Sequence, residues 1–286
     1  MKHIVRGTAA WPSRLDHLAT SPSELWIDGA LPNLPAVMIA VVGSRKATVT
    51  GIAIAHQIAR DLARAGLVVI SGMARGIDAA AHRGCLAADG ITVGVLGCGV
   101  DVPYPRDHED LRANIPQRGA LLSEFPPGTL PDTWHFPKRN RLIAALASAV
   151  VVVEGTERSG ALSTARWAAD LGRDILAVPG SIRSPQSRGT NLLIRDGARP
   201  YLDVRDVLET LGLPSAGLGE GTNSGEAAAE PHQRELLERL GPDPVHPDDL
   251  ALALHVDAAT VAILLSELEM GGLVATDAAG LVSRAA

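Results

Sequence analysis

From Val37 onward the chain alternates short apolar runs rich in Val and Ile with stretches of helical periodicity, and no other feature constrains the fold as much. The runs cover 37–42, 67–70, 91–96, 120–122, 149–153 and 175–178. Each is nearly continuous in apolar character, as a strand buried on both faces requires. Helical patterns fill 49–65, 77–88, 107–118, 138–147, 162–171 and 191–196, and a final helix at 204–211 closes the domain. Strand–helix alternation predicts an α/β fold, a Rossmann-like doubly wound and mainly parallel sheet, over residues 36–211. Residues 1–35, with Pro12, Pro22, Pro32 and Pro35, read as an irregular N-terminal extension. Residues 212–229 are rich in Gly and poor in apolar side chains and read as a linker. Three short helical patterns (231–240, 247–254, 258–270) and a hairpin then predict a small winged-helix domain over 230–286.

Composition narrows the function. Aromatics are 3% of the chain, which argues against rows of stacked rings as the binding device. The two cysteines, Cys85 and Cys98, exclude a disulfide scaffold and a four-cysteine zinc site and read as core residues of a reducing, cytoplasmic protein. The longest apolar run, 142–153, would span about 18 Å as a helix, too short for a bilayer, so no membrane partner is expected. The net charge of −6 hides a split. Residues 230–286 carry −7 and residues 1–229 carry +1, so the acidity belongs to the tail. Of the 26 basic residues, 23 are arginine, a side chain suited to bidentate contact with phosphate.

In an open parallel sheet ligands bind where the strands end. Three such ends carry Gly/Ser turns that lead into helices: Gly43-Ser44-Arg45, Gly72-Met73-Ala74-Arg75-Gly76, and the turn through Arg158, Ser159 and Gly160. Helix-start amides and arginines together predict an anion-binding surface. A second signal is Trp134-His135-Phe136-Pro137-Lys138-Arg139-Asn140-Arg141. With Pro137 opening the helix, Lys138, Arg139, Asn140 and Arg141 would fill its first turn, where the helix dipole disfavours cations and an anionic partner is needed. Several enzyme patterns are missing. There is no phosphate-binding Gly-x-x-x-x-Gly-Lys loop, Gly-x-Ser-x-Gly elbow or His-Glu-x-x-His pair. Gly97-Cys98-Gly99 resembles a dinucleotide fingerprint, but Val102 stands where the third glycine belongs. His82 reads as structural.

Gly43-Ser44-Arg45, the run from Ser71 to His82, Gly97-Cys98-Gly99 with Tyr104-Pro105, Ser123-Glu124-Phe125-Pro126, the run from Phe136 to Arg141, the run from Glu154 to Thr164 and Gly189-Thr190-Asn191 together resemble the DNA-processing protein A family (DprA, also called Smf) over about residues 10–211. The resemblance implies a homodimer, without catalysis or cofactor, that binds and protects single-stranded DNA and loads a RecA-type recombinase in natural transformation. It implies that Arg45 and Lys138 with its neighbours grip the backbone, and that Gly72, Met73 and Arg75 line the same pocket. Two departures stand out. The helical N-terminal domain of many members is expected to be missing or reduced, since only about 35 residues precede the first predicted strand. The presumed third winged-helix helix, 258–270, has Glu267 and Glu269 but no Lys or Arg, so the tail is expected to bind protein or regulate and not to read DNA. The rival readings are a nucleotide phosphoribohydrolase, whose Pro-Gly-Gly-x-Gly-Thr-x-x-Glu pattern Val153–Ser159 does not reproduce, and a sensor of free nucleotides.

Overall fold

The apolar runs form the centre of a nine-stranded sheet. The computed structural model describes residues 1–32, 36–214, 233, 236–237, 239–240, 243–254, 256–270, 273–277 and 280–285. The strands are β1 (Lys2–Val5), β2 (Glu24–Gly29), β3 (Met38–Val42), β4 (Val68–Ser71), β5 (Thr92–Val95), β6 (Ala120–Ser123), β7 (Ala149–Val152), β8 (Asp174–Ala177) and β9 (Arg199–Pro200). Their spatial order is β1-β2-β6-β5-β4-β3-β7-β8-β9. From β6 to β9 every pairing is parallel. Every residue of β3 and β7 is buried, the physical reason for their unbroken apolar content.

The helices are α1 (Val49–Arg64), α2 (Ile77–Ala87), α3 (Glu109–Arg118), α4 (His135–Leu146), α5 (Gly160–Asp170), α6 (Arg188–Arg195) and α7 (Val204–Thr210). Alternate strand residues serve opposite faces. Met38, Ala40 and Val42 share one core with Leu142 and Ala145 of α4 and Ala165 of α5. Leu121, on the other side of its strand from Leu122, packs with Leu111 and Ile115 of α3. Where α1 crosses α2, Gly84 lies against the backbone of His56, and any side chain there would collide with it. Also on α2, His82 is fully buried. Its Nδ1 sits 2.7 Å from Thr92 Oγ1, whose own hydroxyl donates to the Val69 carbonyl. The imidazole is therefore the donor, and burial pushes its pKa down to about 3. Cys85 and Cys98 are free and buried.

The N-terminal segment departs from expectation. Residues 1–35 were read as irregular, yet β1 and β2 add two antiparallel strands beside β6, and Trp11, Leu15, Leu18, Leu25 and Ile27 enter the main core. Neither strand is a continuous apolar run. β1 lies at the sheet edge and is mostly exposed, and the polar ends of β2 mask its three buried residues. Pro12, Pro22 and Pro32 lie outside the strands, Pro12 at the start of a 3-10 turn (Ser13–His17), and Pro35 lies outside the described residues.

Contacts divide the chain into two units, Met1–Ser215 and Ala216–Ala286. The second has its own core of Leu236, Leu250, Val261, Leu265, Val274 and Val282. It holds α8 (Pro247–Leu254), α9 (Ala258–Met270) and an antiparallel hairpin of β10 (Val274–Thr276) and β11 (Val282–Arg284), with Val245 bridging to Val282. The expected linker lies almost wholly outside the described residues, as does part of the 231–240 helix. Among the described residues no single helix is long and apolar enough to cross a membrane.

Candidate nucleic-acid interface

The chain steps outward from β3 to β4, β5 and β6, then returns to the other side of β3 at β7. A crevice must open at the carboxyl ends of β3 and β7, where the direction reverses. Two adjoining recesses of ≈ 580 and ≈ 490 Å3 occupy that rim. They share Arg45, Lys46, Ala74, Tyr104, Phe136 and Arg139, so they form one groove.

The three strand-end turns meet here but differ in what they offer. At α1, Thr48 caps the helix by accepting from the Gly51 amide. Thr48 also donates its N–H (2.9 Å) and hydroxyl (2.6 Å) to the carboxylate of Glu154, which comes from the end of β7 and is 9% exposed. Gly51 makes room for that carboxylate, since a Cβ would sit 2.5 Å from Glu154 Oε2. A carboxylate at a helix start is worth about 0.3–1 kcal/mol, more when partly buried. The positive end of α1 is thus already filled. The expectation that all three helix starts face an external anion fails here, and fails again at α2, where Ile77 N–H donates to the Ser44 carbonyl. At α5, Ser159 caps the helix, and Gly160, Ala161 and Thr164 line the groove.

Helix α4 supplies the inner wall. Phe136, Arg139, Asn140 and Ile143 line the groove at the i, i+3, i+4, i+7 spacing of one helical face. The helix begins at His135, so Pro137 lies inside its first turn and the cationic run falls in the second. Gly97 explains the ring's position: a Cβ there would sit 2.9 Å from Phe136 Cδ1. Arg45 Cζ lies 4.6 Å from the Phe136 centroid, a cation–π contact, and Tyr104 packs at 5.7 Å on the same ring.

Arg139 is 3% exposed. It donates to the carbonyls of Gly72 and Val95 and lies beside Asp78. Burial lowers its pKa to about 10, so it stays charged at neutral pH, while burial pushes the Asp78 carboxyl upward. Gly72 is required where these two meet, because a Cβ would sit 2.6 Å from both Asp78 Oδ2 and Arg139 Nη2. Met73, buried with φ 57°, turns the backbone there, and His108 Nδ1 donates to its carbonyl at 3.1 Å. Above this locked floor stand exposed cations. Arg45, Lys46 and Arg106 make no ion pair among the described residues, whereas Arg75 is held by Asp107 at 2.6 Å.

Of the residues singled out in the sequence, Gly43, Ser44, Asn140, Ser159 and Gly160 line the first recess, Gly72, Met73 and Arg75 the second, and Arg45 and Arg139 both. Gly76 (φ 76°) starts α2 and packs against the Ser44 and Arg45 backbone beneath the groove. Lys138 and Arg141 are not brought to the groove. They line a separate recess, where Arg141 (2.5 Å) and Lys138 (3.2 Å) both pair with Glu124. The reason is helical periodicity: positions two apart project about 200° apart, so a contiguous run of cations cannot share a face. Lys46, Tyr104, Arg106 and Gln186 also line the groove and are not among the site residues singled out in the sequence. Lys46 could have been found from its place beside Arg45 in the same turn.

Comparison with known proteins agrees with this architecture. The family model described as DNA recombination-mediator protein A matches residues 2–212, and that of the DprA winged helix domain matches residues 221–280. Protein Smf of Escherichia coli is 36% identical over 278 residues, covering 95% of this chain and 74% of that protein. A DNA processing protein DprA of Mycobacterium tuberculosis is 41% identical over 258 residues, covering 88% of this chain, which spans 66% of that relative's length. Among solved structures, DprA from Streptococcus pneumoniae superposes with a TM-score of 0.70 at 38% identity, covering 73% of each chain. DprA from Helicobacter pylori, described for its single-stranded DNA binding mode, superposes at 0.65 with 27% identity, covering 74% of this chain and 96% of that one. The sheet, its rim and the matched sequence lead to one conclusion: this chain belongs to the DNA recombination-mediator protein A (DprA/Smf) family.

Proposed function

We propose that the rim groove binds single-stranded DNA, as a holding device and not a catalyst, and that the protein works as a homodimer that hands its strand to a RecA-type recombinase. The observation that carries this reading is the groove's combination of ring faces with cations that make no ion pair among the described residues, at the switch point: Arg45, Lys46 and Arg106 around Phe136 and Tyr104. Cations neutralise phosphates irrespective of sequence, and ring faces take unstacked bases, which a duplex keeps hidden. Family membership and the single-stranded DNA binding mode described for the Helicobacter pylori relative support the same reading.

The C-terminal unit plays another part. The exposed positions of α9 are Ala262, Ile263, Ser266, Glu267 and Glu269 among others, with no cation. A helix so charged repels a phosphate backbone, so we assign this unit to protein contact or regulation.

The deciding experiment measures affinity for single-stranded and double-stranded DNA over a salt series, with wild type and Arg45→Ala. Log affinity for single strands should fall with log salt at about −0.7 per phosphate neutralised, with single strands preferred and the variant weaker on every sequence. Salt-independent binding, or an unaffected variant, would sink the assignment. Sedimentation and a recombinase-nucleation assay test the dimer and the hand-over.

A further inference from the structure

Beyond the groove, the β7–α5 and β8–α6 connections carry cations that the site described above does not use. Arg158 and Arg183 are exposed and make no ion pair among the described residues, and Arg188 beside them is tied to Glu157. With Ile182 and Pro185 they border a recess of ≈ 450 Å3. Three guanidinium groups face one carboxylate there, leaving a local excess of two positive charges. Several other exposed arginines of this unit, outside the groove, have their own carboxylates, as Arg83 has Asp110 and Arg195 has Asp196. Ile182 is 95% exposed and contributes nothing to the core, so folding does not account for it.

The recess joins the groove. Thr156 lines both, Arg158 directly precedes Ser159 of the groove wall, and Pro185 directly precedes Gln186, which lines the groove with its Oε1 buried and unpartnered. A polymer leaving the groove past α5 therefore meets Arg158 and Arg183 next.

We propose that the recess bordered by Arg158, Arg183 and Arg188 is a second phosphate station, which holds phosphodiesters of the same strand after it leaves the groove, with Ile182 against the sugar or base. The inference rests on the reading that the groove holds single-stranded DNA, and it adds the direction of travel: from the β3–β7 crevice outward over β8. Guanidinium groups meet phosphate oxygens as charge-assisted, often paired hydrogen bonds, and each neutralised phosphate adds its share to the salt dependence.

The test compares an oligothymidylate of about 4 nucleotides with one of about 16, the range of site sizes for single-strand binding modules. Wild type, the Arg158→Ala/Arg183→Ala double variant, Ile182→Ala and Arg45→Ala are measured over a salt series. Both arginines are exposed, so the double variant should melt like wild type. It should bind the short strand within twofold of wild type, lose about tenfold on the long one, and show a slope shallower by about 1.4 on the long strand alone. Ile182→Ala should weaken long-strand binding without changing the slope. Wild-type affinity and slope for the double variant on the long strand, while Arg45→Ala is impaired, would overturn the second station and leave the groove standing. Equal loss on both lengths would also overturn it, since the arginines would then belong to the groove. Failure of wild type to bind either strand would remove both readings together.

Discussion

The two sides of α4 were written by one stretch of sequence and do different things. Toward the groove, Arg139 lies buried against Asp78 and two backbone carbonyls, with Phe136 and Asn140 beside it. Away from it, Arg141 and Lys138 share the carboxylate of Glu124, whose side chain is 4% exposed. On both sides the buried arginine is a fastening, and neither is free to meet a ligand. The cations available to a polyanion come from the adjoining loops, Arg45 and Lys46 above all. Buried charge shapes the floor here and exposed charge is left available to a ligand, a division that a run such as Lys-Arg-Asn-Arg conceals.

That contrast can be broken or sharpened by experiment. The largest effect is expected from Arg139→Ala. It strands Asp78 and two carbonyl acceptors in the interior, so unfolding should become easier by on the order of 3–5 kcal/mol in a denaturant titration. A loss of DNA affinity with unchanged stability would show that this arginine touches the ligand instead.

Next comes pH. His82, on the helix that carries Asp78, has a folded pKa near 3 against an ordinary value of 6.5. The unfolded chain then binds more protons between those limits, so this group's contribution is present above pH 6.5 and is lost as pH falls. The linkage relation gives about 2 kcal/mol lost by pH 5. His82→Gln should flatten the melting temperature over pH 5–7 relative to wild type, and an unaltered profile would contradict the buried neutral imidazole.

Arg45→Ala should leave the melting temperature unchanged. It should weaken single-strand affinity about tenfold, with a slope shallower by about 0.7. Lys138→Ala should do less, about two- to threefold, because that ammonium is already shared with Glu124. An effect on binding equal to that of Arg45→Ala would mean that the strand crosses to the far side of α4. Smallest of all, removing residues 216–286 should change single-strand affinity by less than twofold. A large loss with a flattened salt slope would place the acidic unit on the DNA path.

The alternation of Val- and Ile-rich runs with helical patterns announced the parallel strands because burial on both faces leaves no polar residue to disguise them. β1 and β2 carried no such signature, one being exposed at the edge and the other only half covered. At the rim, Gly43-Ser44-Arg45 and Ser159-Gly160 were legible as groove residues because their turns follow buried strands directly. Lys138 and Arg141 were misplaced because the run was read along the chain and not around the helix. Glu154 went unnoticed as a cap because its partner, Thr48, is 106 positions away, and spacing alone cannot reveal such a pairing.

The Glu154 carboxylate on the first turn of α1 has a last consequence. In many open sheets that seat receives the phosphate of a small nucleotide. Here the protein sits in its own chair. At that helix start a nucleotide phosphate would have to evict an internal anion held by two hydrogen bonds. A long strand needs no such eviction, because it can gather many weak holds along the rim. A bias toward length over monomer at this one seat would follow from one glutamate placed at the end of a strand.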